Sequence, residues 1–146
     1  MSRPGAVAIT LVLALGLAKA DQFERFGDWQ VHYIAFNASL LSAEIAERYG
    51  LVRGRNKGLV NVTAIGPAGR GEKAKVEGSF RNLLDQRTRL DFREIDDAGT
   101  IYYLAAFDFD EGENLRFEIS IDLPGHGSET LRFQQPLYFE RPREDP

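Results

Sequence analysis

The residues best placed to do chemistry form one short run, Arg53-Gly54-Arg55-Asn56-Lys57-Gly58. Two guanidiniums, an ammonium and a carboxamide this close together can recognise a carboxylate, a phosphate or an acidic segment of another chain. Asn37 joins Arg53, Arg55, Asn56 and Lys57 as a candidate binding residue, because a short helix between them must turn the chain back. The plainer reading is a solvated turn whose charges pair with Glu44, Glu47 or other nearby acids.

Other candidates lack the spacing their chemistry needs. His32 lies beside Gln30 in a strand-like run, and His126 lies in a Gly-rich turn with no ligand spacing to His32. Asp108, Asp110, Glu111 and Glu113 surround Gly112. With Gly112 at the sixth position of a calcium loop, however, Phe107 and Phe109 fall where the first two carboxylates belong. Gly127-Ser128-Glu129 is not a nucleophile elbow, and no phosphate-cradling or dinucleotide fingerprint is present. The chain has no Cys, which removes thiolate nucleophiles, disulfides and Cys-ligated metal sites. No catalytic residue, metal ligand or cofactor is therefore assigned. The reading is a non-catalytic binding or protein-interaction module. The alternative is a small periplasmic hydrolase or metal-dependent enzyme whose site is assembled across strands from Asp/Glu groups and His32.

The elements that must position these residues are mostly strands. Leu115, Phe117, Ile119, Ile121 and Leu123 alternate with Arg116, Glu118, Ser120 and Asp122, the pattern of a half-buried strand with one wet face. Ala74–Arg81, Arg89–Arg93 and Thr130–Gln134 alternate in the same way. Ile101–Phe109 and Trp29–Phe36 are apolar on both parities, which suits central strands covered on both sides. Leu59–Ile65 is a short β-branched run. Asp96–Gly99, Asp110–Asn114 and Pro124–Gly127 read as hairpin turns, and Pro67–Gly71 as a looser connection. Strands at this spacing predict an antiparallel sandwich or barrel. One segment reads as a helix, about residues 42–49. Ser42 is its N-cap, Glu44 and Arg48 complement its dipole, and Gly50 stands just past its end.

Residues 1–20 read as a cleaved secretory signal. Arg3 precedes the apolar run Ala6–Ala18, and Ala18-Lys19-Ala20 offers small residues before a cut between Ala20 and Asp21. The run is shorter than the roughly 20 residues a membrane span needs. The expected domain is 21–140, and the Pro-rich 141–146 is expected to be a disordered tail. Losing Arg3 and Lys19 takes the formal charge from −4 to −6. That acidity argues against nucleic acid and against anionic membrane surfaces. An exported chain without Cys points to the periplasm. The sequons at Asn37 and Asn61 matter only in a eukaryotic secretory route. The expected partner is an envelope protein or a small anionic ligand, with no span of the membrane after cleavage.

The run from Gly27 to Thr63 resembles a family of exported proteins of Gram-negative bacteria, domain of unknown function number four-four-two-six. The resemblance is carried by Gly27, Val31, Tyr33, Ala35-Phe36-Asn37, Tyr49-Gly50, Arg53, Gly58-Leu59 and Asn61, and by the later aromatic strand Ile101–Phe109 and Phe133–Phe139. It implies an immunoglobulin-like antiparallel β-sandwich in the periplasm. It implies no activity and hands over no functional residue.

Overall fold

In a computed structural model, residues 22–139 are described. The expected signal, its cleavage point at Ala20 and Asp21, and the tail 141–146 lie outside the described residues. Nine strands and one short helix follow in order: β1 (Phe23–Phe26), β2 (Trp29–Asn37), α1 (Ala43–Arg48), β3 (Lys57–Ile65), β4 (Lys75–Arg81), β5 (Arg87–Leu90), β6 (Arg93–Asp97), β7 (Thr100–Asp108), β8 (Glu113–Leu123) and β9 (Gly127–Leu137). They form two antiparallel sheets, β1-β2-β3-β7-β6 and β5-β4-β8-β9. This is the mainly β, immunoglobulin-like sandwich that the sequence predicts.

The alternating parity of each strand decides which side chains meet between the sheets. Phe117 of β8 is 2% exposed. Its ring stacks on Phe133 of β9 at 4.8 Å and meets Phe107 of β7, across the sandwich, at 5.7 Å. Phe80 of β4 closes the group at 5.1 Å from Phe107. Val31, Val60, Val62, Ile119, Ile121 and Leu131 fill the space around these rings. Tyr33 lies 4.5 Å from Phe133 and extends the cluster toward β2.

Strand β3 is buried on both faces. Val60, Val62 and Ala64 point into the sandwich. Leu59 points the other way, into a cluster with Phe36, Ala38, Leu41 and Ile45 beneath α1. Ser42 caps α1 by accepting from the Ile45 N–H at 3.2 Å, and Gly50 takes a φ of 63° just past its end, as the sequence predicts.

Three sequence expectations change, and two elements are new. The alternation at Leu90 and Phe92 belongs to two strands, not one: β5 ends at Leu90 in one sheet and β6 begins at Arg93 in the other. Likewise Asp110–Asn114 is not a hairpin, because it carries the chain from β7 in one sheet to β8 in the other. Lys57 belongs to β3 rather than to the loop before it. Strand β1 and a single 3-10 turn at Ala38–Leu40 are not legible in the sequence. Both are too short to carry a periodicity.

Gly58 stands opposite Phe107 in the β3–β7 register, and the aromatic ring lies directly over it. A Cβ there would enter the ring. Gly58→Ala should therefore cost about 1–3 kcal/mol through overpacking, seen as a lower urea midpoint at unchanged slope. A variant within about 0.5 kcal/mol of wild type, inside the range of an ordinary surface change, would show that this approach is not tight.

Candidate functional site

The run 53–57 is brought to Asn37, but the side chains of Arg53, Arg55 and Lys57 already have internal partners. Asn37 is 5% exposed at the end of β2. Its Nδ2 donates to the carbonyl of Arg55 at 3.1 Å and to that of Tyr138 at 2.9 Å. Its Oδ1 accepts from the N–H and the hydroxyl of Ser39 at 2.9 and 2.7 Å. Every hydrogen-bonding capacity that matters on this carboxamide is filled by the protein. Arg53 donates to the Leu41 carbonyl at 3.1 Å. The Arg55 guanidinium lies 5.0 Å from the Phe139 ring centre. Lys57 pairs with Asp108 at 2.6 Å, and the Asn56 carbonyl accepts from the Phe109 N–H. Asn37 thus ties the loop, β2 and the chain leaving β9 into one joint. Arg53 and Arg55 remain exposed around it.

Three carboxylates of the acidic cluster near Gly112 likewise have partners within the chain. Asp108 holds Lys57, Glu113 accepts from the Asp110 N–H at 2.8 Å, and Glu111 accepts from the Phe139 N–H at 2.7 Å. His32 stacks on Phe23 at 5.1 Å, whereas His126 bonds Glu129 at 2.9 Å. Among the described residues, no three His, Asp or Glu side chains converge where they could hold a metal ion.

Beneath α1, a hollow lined by Phe36, Leu41, Tyr49, Asn61, Tyr102 and Leu104 encloses about 20 Å³. That is the room of a single water, too little for an organic ligand. Tyr102 at its wall is 3% exposed. Burial, then the Asp97 carboxylate and Tyr49, push its hydroxyl up to about 12.

The charged feature the sequence did not single out is the outer face of the β5-β4-β8-β9 sheet. Register sets Arg81 of β4 directly opposite Arg87 of β5 and directly opposite Arg116 of β8. The next outward row carries Arg89, Ser79, Glu118 and Arg132. All five arginines are exposed. Like charges directly opposite one another destabilise a sheet, so this row is held against its own repulsion. Asp85, in the β4–β5 turn, relieves part of it, with Oδ1 at 3.1 Å from Arg116 and 3.6 Å from Arg81. Arg87 donates through Nε to the Ser79 hydroxyl at 3.1 Å, and Arg132 lies 3.6 Å from Glu118. Two open hollows of about 630 and 600 Å³ share Ser79, Arg87 and Glu118. Each is large enough for a phosphate or carboxylate group and what it is attached to.

A model of the domain of unknown function DUF4426 matches residues 23–140. The chain belongs to that family. A DUF4426 family protein from Pseudomonas aeruginosa PAO1, solved by crystallography, is 34% identical. It aligns over 83% of this chain and 97% of its own, with a TM-score of 0.74. FetP of uropathogenic Escherichia coli aligns over 84% of this chain and 96% of its own at 9% identity, TM-score 0.56. A copper-bound FetP variant gives 87%, 96%, 8% and 0.58. At those identities the likeness to FetP is one of fold. No curated protein matches.

The DUF4426 chain carries its arginine row where sequence alone shows only parity. Arg81, Arg89, Arg116 and Arg132 alternate with apolar residues on their strands, so each is legible as outward-facing. Which strands are neighbours, and in what register, is not.

Two outcomes test the joint and the tyrosine wall. Asn37→Ala strands the carbonyls of Arg55 and Tyr138 and should cost roughly 2–4 kcal/mol in urea unfolding. A loss below about 0.5 kcal/mol, the size of a surface change, would remove Asn37 from this role. Tyr102 binds its proton more tightly when folded. Its contribution is therefore complete below pH 10 and is lost as pH rises toward 12. Stability should fall by roughly 2–3 kcal/mol over that window, at about 1.4 kcal/mol per pH unit. Tyr102→Phe should flatten the fall, and an unchanged slope would assign it to other tyrosines.

Proposed function

We propose that this chain is a non-catalytic binding module of the bacterial cell envelope, exported to the periplasm, which engages an anionic partner through the outer face of the β5-β4-β8-β9 sheet. The leader-like residues 1–20 and the Cys-free composition support the export. One observation carries the binding assignment: three arginines of three adjacent strands face each other in a single register row, on a chain with more acids than bases. Asp85 relieves only part of the repulsion between like charges set opposite one another. An anion laid across the row removes the repulsion, and guanidinium forks suit phosphate and carboxylate oxygens.

The basic run at 53–57 supports this reading less well. Arg53, Arg55 and Lys57 each hold a carbonyl, a ring or a carboxylate of the chain itself. The copper of the FetP variant is not part of the proposal, since no three His, Asp or Glu side chains converge among the described residues.

The test uses pyrophosphate as a charge probe. Amide chemical-shift changes should cluster at residues 79–89 and 116–118 and weaken as salt is raised. Arg87→Glu with Arg89→Glu should abolish them. The same pair should leave stability within about 1 kcal/mol, because the carboxylate introduced at position 87 would face Arg81 as an opposite charge. Shifts confined to residues 53–57 would move the site to the basic run and overturn the assignment.

A further inference from the structure

The five-residue connection between β4 and β5, residues 82–86, ends in the two most exposed large apolar side chains among the described residues. Leu83 is 70% exposed and Leu84 is 80% exposed. The turn does not need them. Its polar groups are satisfied from within: Asn82 Oδ1 accepts from the N–H groups of Leu84 and Gln86 at 3.0 and 2.9 Å. The Asn82 N–H donates to the Gln86 carbonyl at 3.1 Å, and the Asp85 N–H to the Asn82 carbonyl at 3.0 Å. Asp85 takes a φ of 60° to complete it. Such turns ordinarily carry Gly, Asn, Asp or Ser at their tips. Here the prebuilt turn holds two leucines in water with nothing to pack on.

On the outer face of the sheet the base of this tip is lined by cations, with Asp85 of the turn between Arg81 and Arg116. Arg81 and Arg87 are the last paired residues before the turn. Arg116 donates to the Asn82 carbonyl at 3.1 Å and so sits against the turn itself. Arg89 and Arg132 lie one outward row further from the tip. An apolar point with a row of guanidiniums along one face of its base matches the layering of a lipid monolayer, where headgroup phosphates lie above the acyl chains. An acidic polypeptide would answer the arginines but not two adjacent leucines at a tip.

We propose that the β4–β5 turn docks on an anionic phospholipid surface, with Leu83 and Leu84 entering the acyl boundary and Arg81, Arg87 and Arg116 taking headgroup phosphates. This rests on the anion-binding assignment above and names its partner. The acidity of the whole chain argues against such a surface when charge is averaged. Around the turn the five arginines outnumber Asp85 and Glu118, and acids more than about 10 Å away are screened at physiological salt.

The full chain without residues 1–20 should cosediment with vesicles of phosphatidylethanolamine and phosphatidylglycerol, less so at high salt, and not with vesicles of phosphatidylcholine alone. Leu83→Ser with Leu84→Ser should weaken that binding by about tenfold or more, on the hydrophobic scale of two leucines. The melting temperature and the pyrophosphate shifts should stay as in wild type. Arg87→Glu with Arg89→Glu should lose both the vesicles and the pyrophosphate response. Wild type that ignores anionic vesicles, or a leucine variant that binds them equally, overturns the lipid proposal while an intact pyrophosphate response keeps the anion site. Loss of the pyrophosphate response in wild type defeats both. Leucine-dependent binding of a fluorescein-labelled hexaglutamate peptide in place of vesicles would make the partner a polypeptide and overturn the proposal.

Discussion

The two sheets are joined by aromatic packing, and every other feature of the molecule follows from that. With no Cys in the chain, the β5-β4-β8-β9 sheet is held to its partner by Phe80, Phe107, Phe117 and Phe133 and the aliphatic residues around them. Aromatic pairs at 4.5–7 Å contribute beyond their buried area. Phe107 comes from one sheet and Phe117 from the other, and their edge contact joins the sheets together with Phe80 against Phe107 and Tyr33 against Phe133. Its geometry asks for close backbone approach nearby, which explains a glycine at 58 under the Phe107 ring.

Once parity commits one face of β4 and β8 to this core, the opposite face is fixed as well. Residues at every second position must project from it, whatever their charge. Most sandwiches would mix signs across such a face to gain cross-strand pairs. This face does so where Glu118 meets Arg132, but beside the β4–β5 turn it places Arg87, Arg81 and Arg116 in one line and leaves Asp85 to offset them from the side. The two faces of one sheet thus divide the work: the inner face supplies cohesion and the outer face concentrates positive charge.

Legibility in the sequence tracks range. The strand at Leu115–Leu123, the hairpins at Asp96–Gly99 and Pro124–Gly127, and the Ser42 cap are local patterns, and the structure has them. The family resemblance in the run from Gly27 to Thr63 is also legible, and the match over residues 23–140 bears it out. What fails is non-local. Asp110–Asn114 looks like a hairpin because its residues suit a tight turn, but the strands it joins pack face to face rather than edge to edge. The partners of Arg53 and Arg55 are a backbone carbonyl and a ring near the end of the described chain, not the neighbouring acids Glu44 and Glu47. Leu83 and Leu84 carry no signal of their own, because a short apolar pair reads as core until burial is known.

The Asn37 joint has a temporal consequence. Its carboxamide bonds Tyr138, 101 positions along the chain. A polypeptide emerging N-terminus first, from a ribosome or through a translocation pore, cannot complete this contact until nearly the whole domain has cleared the exit. Strand β9 arrives last and supplies Phe133 to the core at the same stage. Until then the β5-β4-β8-β9 sheet lacks its edge strand and the inner faces of the two sheets lack Phe133. Contacts of such sequence separation form late, so a chain halted shortly before Tyr138 would lack both the joint and the edge strand and would stand open to proteases rather than be a slightly weakened protein.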